Sequence, residues 1–281
     1  PFEIEAKLQR AFRLIGPQGF AGLAMSAIDM AVWDACAKAA GLPLVRYLGG
    51  EPKPLPTYQS CGLGIIGPEK AGPEAAELIP GYRAIKVRLG YPDAATDLAV
   101  IREVRQAVGR DVLLMTDYNQ SLNAPEAVRR ARMLETEEIC WIEEPVRADD
   151  YEGHAQVRAG TSIPVQTGEN WWGLHDMQKS IAAGASQFVM PDAVKIGGVT
   201  GWLRGAALAA AHGLPVSSHL FPEISAHLLA VTPTAHWLEY VDFASPILVR
   251  PSTPRDGYLS APETPGIGLE WDEEAVARFL E

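Results

Sequence analysis

Asp117, Glu143 and Glu169 stand 26 residues apart, and each closes a short apolar run: VLLMTD, ICWIE and IPVQTGE. A step of that length fits one strand, one loop and one helix. The three acids therefore fall at equivalent positions on three consecutive parallel strands, where they converge. Three anionic oxygen donors, with no sulfur or nitrogen among them, favour a hard cation, Mg²⁺ over Zn²⁺. Such an ion keeps positions open for water and a substrate carboxylate. It also lowers the energy of an enolate formed beside that carboxylate.

Other polar groups close the remaining strand patterns: Ser60, Lys86, Arg88, Asn119, Asp192, His219 and Glu239. Asp192 and His219 end neighbouring strands six and seven. A carboxylate accepting a bond from the imidazole would orient it and favour its cation, making His219 a base for a carbon acid. Lys86 and Arg88 are two apart on strand two, so both are expected to point into the same mouth. Either can neutralise a substrate carboxylate, but a guanidinium is a poor proton acceptor. Glu239 is expected to be a protonated acid that donates to the enolate oxygen.

Two patterns compete with this one. His219, Glu223 and His227 have helical metal spacing, but Pro222 lies between them and His219 belongs to the strand end. Gly197 and Gly198 could cradle a phosphate, although a tight turn out of strand six explains them as well. His175 and Asp176 read as helix surface.

Elements that alternate along the chain must position these groups. The patterning predicts strands at 57–62, 82–89, 112–118, 139–144, 163–168, 187–191, 214–219 and 237–241. It predicts helices at 69–78, 95–108, 124–135, 150–158, 174–183, 200–212 and 223–230. Asn123 before Pro125 is a helix start signal. Strict alternation favours a closed parallel barrel over an open sheet, and no glycine-rich phosphate loop follows the first strand. Residues 22–41 read as one buried helix with Ser26 and Asp29 set as a capping pair, stopped by Gly41 and Pro43. Residues 245–268 read as loop and 271–280 as a short terminal helix. The expected organisation is a helical capping region over 1–54, a barrel over 55–244 and a returning segment over 245–281.

The bulk properties fit an enzyme. The chain has 281 residues, 47% hydrophobic and 21% charged, enough for a large core. A net charge of −11 argues against nucleic acid or an anionic membrane surface as partner. Cys36, Cys61 and Cys140 are odd in number and widely spaced, which suits packing roles in a reducing compartment. No signal-peptide pattern is visible and no apolar run is expected to span a bilayer, so the cytoplasm is the expected location.

Five long motifs then carry a resemblance: DYNQSL (117–122), WIEEP (141–145), GENWWG (168–173), MPDAVKIGGVTGW (190–202) and SSHLFPEISAHLLAVTPTAHWLE (217–239). The sequence resembles the mandelate racemase group of the enolase superfamily from about residue 20 to its C-terminus. The resemblance implies an α/β fold, a modified TIM barrel (β/α)₇β with a partial α+β capping domain. It implies that Asp117, Glu143 and Glu169 bind Mg²⁺, that His219 supported by Asp192 is the base on one face of the α-carbon, and that Glu239 is the electrophilic acid. It implies substrate contacts for Lys86, Asn119 and Ser60, and places Lys195 behind the ligands. It further implies a small carboxylate substrate and a symmetric homo-oligomer.

Two departures qualify the resemblance. The group's racemases carry Lys-x-Lys on strand two, with the second lysine as base on the opposite face, whereas this chain has Arg88 there. A two-base racemase needs a proton acceptor on each face. A one-base reaction, in which His219 removes the α-proton and then assists loss of a β-hydroxyl, is dehydration of a sugar acid. Members of the group also carry a longer N-terminal part with loops that close over substrate. This chain is expected to open near the first capping helices, with those loops outside it. Three readings thus stand: a racemase acting on a 2-hydroxy acid through an enediolate, a sugar-acid dehydratase, and a non-catalytic carboxylate-binding relic.

Overall fold

The computed structural model describes residues 1–279. Three helices, α1 (Phe2–Ala11), α2 (Gly19–Ala39) and α3 (Leu44–Tyr47), precede the barrel. The alternating part then runs β1 (Leu55–Gln59), α4 (Pro68–Leu78), β2 (Ala84–Arg88), α5 (Ala94–Val108), β3 (Leu113–Asp117) and α6 (Ala124–Leu134). It continues with β4 (Ile139–Glu143), α7 (Tyr151–Gly160), β5 (Val165–Thr167), α8 (Leu174–Ala183), β6 (Phe188–Val189), α9 (Gly198–Ala211), α10 (Pro222–Ala230) and β7 (Leu238–Tyr240). Two short elements, β8 (Tyr258–Leu259) and α11 (Glu273–Arg278), follow. The expected terminal helix reached residue 280, which lies outside the described residues.

The sheet order is β6-β5-β4-β3-β2-β1-β7, every neighbouring pair parallel. The expected seventh strand at 214–219 is not regular strand. It closes the ring through single bridges, Val216 to Val189 on one side and to Ala235 on the other, with Asp192 bridged to His219. Pro215 has no N–H to give to a ladder. The backbone bonds around it alternate sides instead: Ser217 N donates to Val189 O and Ser218 N to Trp237 O. The result is the closed parallel barrel that the alternation implied, in the modified (β/α)₇β form that the resemblance implied.

Alternation along each strand sorts the core. On β2, Ile85 and Val87 face outward into an apolar layer with Ala71, Ala75, Val100, Ile101 and Val104 of α4 and α5. Tyr58, Ala84, Met115 and Trp141 meet in a second cluster with Phe188 and Trp237 against it, filling the barrel interior beneath the polar end. Helix starts carry their own caps: Asp93 accepts from Thr96 N at 2.9 Å and Asn123 from Glu126 N at 3.0 Å.

Helix α2 differs from its sequence reading. It begins at Gly19, and Asp29 is no cap of its own helix. The Asp29 carboxylate accepts from Thr200 N at 2.9 Å and Thr200 Oγ1 at 2.6 Å, at the start of α9. Trp33 Nε1 donates to the same hydroxyl at 2.9 Å. An acid from the capping helices thus takes the N-terminus of α9, the position where a phosphate would otherwise sit beside Gly197 and Gly198. By length and apolarity α2 is a helix that could cross a membrane, contrary to expectation. Its buried face, with Met25, Trp33 and Ala37, is turned onto the barrel, while Phe20 and Ile28 remain exposed. The C-terminal segment returns to the same region: Leu44 N donates to Gly266 O at 2.7 Å and Ile267 N to Asp34 Oδ1 at 2.7 Å.

Candidate active site

The C-terminal ends of the strands carry the site because parallel strands present their last residues to one mouth. Arg88 on β2, Asp117 on β3 and Glu143 on β4 are in direct register. Glu169 stands two residues beyond β5. Ligand oxygens of Asp117, Glu143 and Glu169 all lie within 4.8 Å of one another, and the three residues are grouped as one possible metal site. Burial, then the neighbouring carboxylates, raise the pKa values of Asp117 and Glu143 against the pull of Lys86. Crowded anions out of water call for a multivalent cation, and an all-oxygen donor set of this charge fits Mg²⁺.

Lys86 is fully buried in this cluster. Its Nζ lies 2.6 Å from Glu143 Oε1, 2.7 Å from Glu239 Oε1 and 3.4 Å from Asp117 Oδ2. Burial works against its charge, but Glu143 and Glu239 outweigh it and hold the ammonium protonated well above the usual range. Glu239 stands in the same cluster. Burial favours its neutral form, yet Lys86 and His219 hold its pKa down to about 2. Its carboxyl oxygens accept from Ser60 Oγ at 2.8 Å and from Leu220 N at 2.9 Å.

His219 and Asp192 meet as the sequence implied. His219 Nδ1 is 2.6 Å from Asp192 Oδ2, and Asp192 Oδ1 in turn accepts from Val194 N at 2.6 Å. The other ring nitrogen, Nε2, lies 3.3 Å from Glu169 Oε2. Burial opposes protonation of the ring, but Glu169 and Asp192 raise its pKa overall. The histidine is therefore oriented through Nδ1 and presents Nε2 to the carboxylate cluster. The other two members of the helical metal spacing are elsewhere. His227 Nδ1 accepts from Val45 N and its Nε2 faces Ile267 O, tying the capping helices to the C-terminal segment.

Three further residues take partners that spacing did not specify. Asn119 Nδ2 donates to Asp117 Oδ2 at 3.0 Å and its backbone N to Oδ1 at 2.8 Å, so it holds an acid of the cluster. Ser60 holds Glu239. Arg88 sets its guanidinium on the β1–α4 loop, with Nη1 2.7 Å from Gly62 O and 3.4 Å from Ser60 O.

Two residues were missed altogether. Asn170 Nδ2 donates to Glu169 Oε1 at 3.0 Å and Glu144 Oε2 at 2.8 Å, while Lys195 Nζ donates to Asn170 Oδ1 at 2.7 Å. Glu144 is buried and, by burial first and Glu169 next, pushed up to about 8. Their adjacency to Glu143 and Glu169 was the available signal. Backbone strain marks the same rim: Leu63, Asn119, Gln120, Glu144, Leu220 and Phe221 all have positive φ.

With this geometry in view, two family models match the chain. "Enolase C-terminal domain-like" matches residues 71–275 and "Mandelate racemase / muconate lactonizing enzyme, N-terminal domain" matches residues 1–49. The chain belongs to the mandelate racemase/muconate lactonizing enzyme group of the enolase superfamily. It is accordingly a Mg²⁺-dependent enzyme of that superfamily, an isomerase or a lyase. L-talarate/galactarate dehydratase of Salmonella typhimurium is 35% identical over 97% of this chain and 69% of its own length. A Bradyrhizobium enolase solved with magnesium and mandelic acid is 46% identical with a TM-score of 0.95, covering 99% of this chain and 77% of its own. L-talarate dehydratase of a Polaromonas species, solved with Mg and L-glucarate, is 34% identical with a TM-score of 0.91, over 98% and 77%.

Proposed function

We propose that this enzyme removes the proton α to the carboxylate of a sugar acid and expels the β-hydroxyl, as a one-base dehydratase. The observation that carries this is the pair of strand-end groups on either side of the mouth. His219 is oriented by Asp192 and turns Nε2 toward the acid cluster, 3.3 Å from Glu169 Oε2, whereas Arg88 is bonded to backbone carbonyls and has no lone pair to offer. The dehydratases among its relatives support the same reading.

In this reading Asp117, Glu143 and Glu169 hold Mg²⁺, and that ion, when bound, neutralises charge on the substrate carboxylate and its enediolate. Lys86 supplies a second positive charge to the carboxylate. His219 Nε2 takes the α-proton, and the C–H electron pair becomes the C=C bond of the enediolate. The same proton then leaves with the β-hydroxyl as water, giving an enol that tautomerises to the 2-keto-3-deoxy acid. For Glu239 to donate to the enediolate it must take up a proton as the substrate anion arrives. Asn119, Asn170 and Lys195 keep the acids aligned.

A racemase reading is favoured by one specific observation, the mandelic acid bound in the Bradyrhizobium neighbour. Deuterium exchange at the α-carbon in D₂O separates the readings. A dehydratase yields keto acid from sugar diacids, with solvent deuterium at C3 where the enol tautomerises, whereas a racemase washes deuterium into mandelate and interconverts its enantiomers. A carboxylate-binding relic exchanges nothing. His219→Asn is expected to reduce exchange about 10²–10⁴-fold, the scale of a general base. An unchanged exchange rate in that variant would remove the histidine from the mechanism.

A further inference from the structure

We propose that Arg88 is a positioning residue that clamps the β1–α4 loop, so that Ser60 holds one oxygen of Glu239 in place. The guanidinium reaches two carbonyls of one turn: Nη1 contacts Gly62 O at 2.7 Å, and both Nη1 and Nη2 contact Ser60 O, at 3.4 and 3.5 Å. The backbone closes the same turn from the other side, because Arg88 N donates to Leu63 O at 3.0 Å. The turn needs holding. Gly62 and Leu63 have φ of 79° and 46°, and such a left-handed pair with a leucine in it is a strained conformation that its surroundings must fix.

What the clamp controls is visible one residue earlier. Ser60 Oγ donates at 2.8 Å to Glu239 Oε1, the same oxygen that Lys86 Nζ contacts at 2.7 Å. Loop, serine, acid and lysine therefore form one chain of contacts from the rim to the acid cluster. A guanidinium suits this task better than an ammonium. Its planar fork donates in fixed directions and can serve two carbonyls together, whereas lysine is a point charge on a flexible stem. The position where the group's racemases carry a second base is thus used here to fix the loop, and the enzyme acts from the His219 face alone. This last step rests on the dehydratase reading; the clamp itself does not.

The clamp is tested with Arg88→Ala, Arg88→Lys, Ser60→Ala and the Arg88→Ala/Ser60→Ala double variant in full-length, Mg²⁺-loaded protein. Amide hydrogen exchange of residues 61–66 is the readout that needs no turnover. Arg88→Ala is expected to speed it at least about tenfold, and Arg88→Lys to restore little of the protection. Exchange in Arg88→Ala equal to wild type overturns the clamp.

The second readout is α-deuterium incorporation into each mandelate enantiomer and keto-acid formation from galactarate. Loss of alignment is expected to cost Arg88→Ala about 10–100-fold. The double variant should be no slower than the slower single variant, because both act through one oxygen of Glu239. Added guanidinium ion should rescue Arg88→Ala, and methylammonium should not. Full activity in Arg88→Lys, multiplicative losses in the double variant, or rescue by both cations would overturn the positioning role. If wild type neither incorporates deuterium into any probe nor forms keto acid from galactarate, the proposed function falls and amide exchange alone decides the clamp.

Discussion

Replacing Lys86 by methionine tests the charge balance of the site without reference to turnover. The ammonium is buried with two carboxylate oxygens at 2.6 and 2.7 Å and a third at 3.4 Å. At an effective dielectric of about 20, each of the two short contacts carries a gross attraction on the order of 6 kcal/mol. Most of that is offset by taking the ammonium and the acids out of water. What matters in the variant is what the lysine leaves behind. Glu143 and Asp117 already have raised pKa values, and without the lysine they must stay buried as unpaired anions or bind protons. Removing one partner of a buried pair costs about 3–5 kcal/mol. At roughly 2–4 °C per kcal/mol for a large domain, that lowers Tm by about 6–20 °C. Thermal unfolding in EDTA and in Mg²⁺ is the assay. Because a divalent cation among Asp117, Glu143 and Glu169 would replace the missing charge, Mg²⁺ should raise the Tm of Lys86→Met more than that of wild type. A variant within 2 °C of wild type in EDTA, or equal Mg²⁺ shifts in both proteins, would refute the reasoning.

Other perturbations reach further from the acids. Asp29→Ala strips a buried acceptor from Thr200 N and Oγ1 and should cost about 1–3 kcal/mol in urea unfolding, with α-exchange unchanged at temperatures where the variant is folded. Equal stability would mean that the α2–α9 contact does not hold the capping helices. Stability should also fall with acid through the buried imidazoles. Burial lowers the pKa of His236 to about 4 and lowers those of His154 and His227. The folded state therefore binds these protons less readily than the unfolded chain. The contribution is complete above about pH 6.5 and is lost as pH falls through about 4, at most about 3 kcal/mol for His236. His236 packs 4.8 Å from the Phe188 ring, so His236→Phe should flatten the slope of denaturation midpoint against pH. An unaltered slope would exclude His236 as its source.

The acids and the histidine were legible because their signal is one-dimensional. Asp117 and Glu143 sit one β/α unit apart, and the parallel register that pairs them directly is a consequence of that repeat. The aspartate–histidine pair was legible for the same reason, since bridged strand ends bring Asp192 and His219 side by side. The seventh strand was not, because periodicity reads apolar pattern and does not register that Pro215 lacks a ladder donor. The direction of Asp29 was missed as well. Within α2 it resembles part of a cap, and only the approach of α9 gives it Thr200.

The sequence by itself determined which residue types stand at the strand ends and how often they recur, and from that the barrel and the carboxylate cluster. Tertiary structure decided what each polar group does with its hydrogen bonds. Lys86 and His219 beside Glu239 favour its charged form, and Arg88 serves a loop because two carbonyls lie within its reach. Spacing fixes where a side chain leaves the backbone. Protonation and partner depend on distances of a few ångströms between segments far apart in the chain, and on how much water is shut out between them.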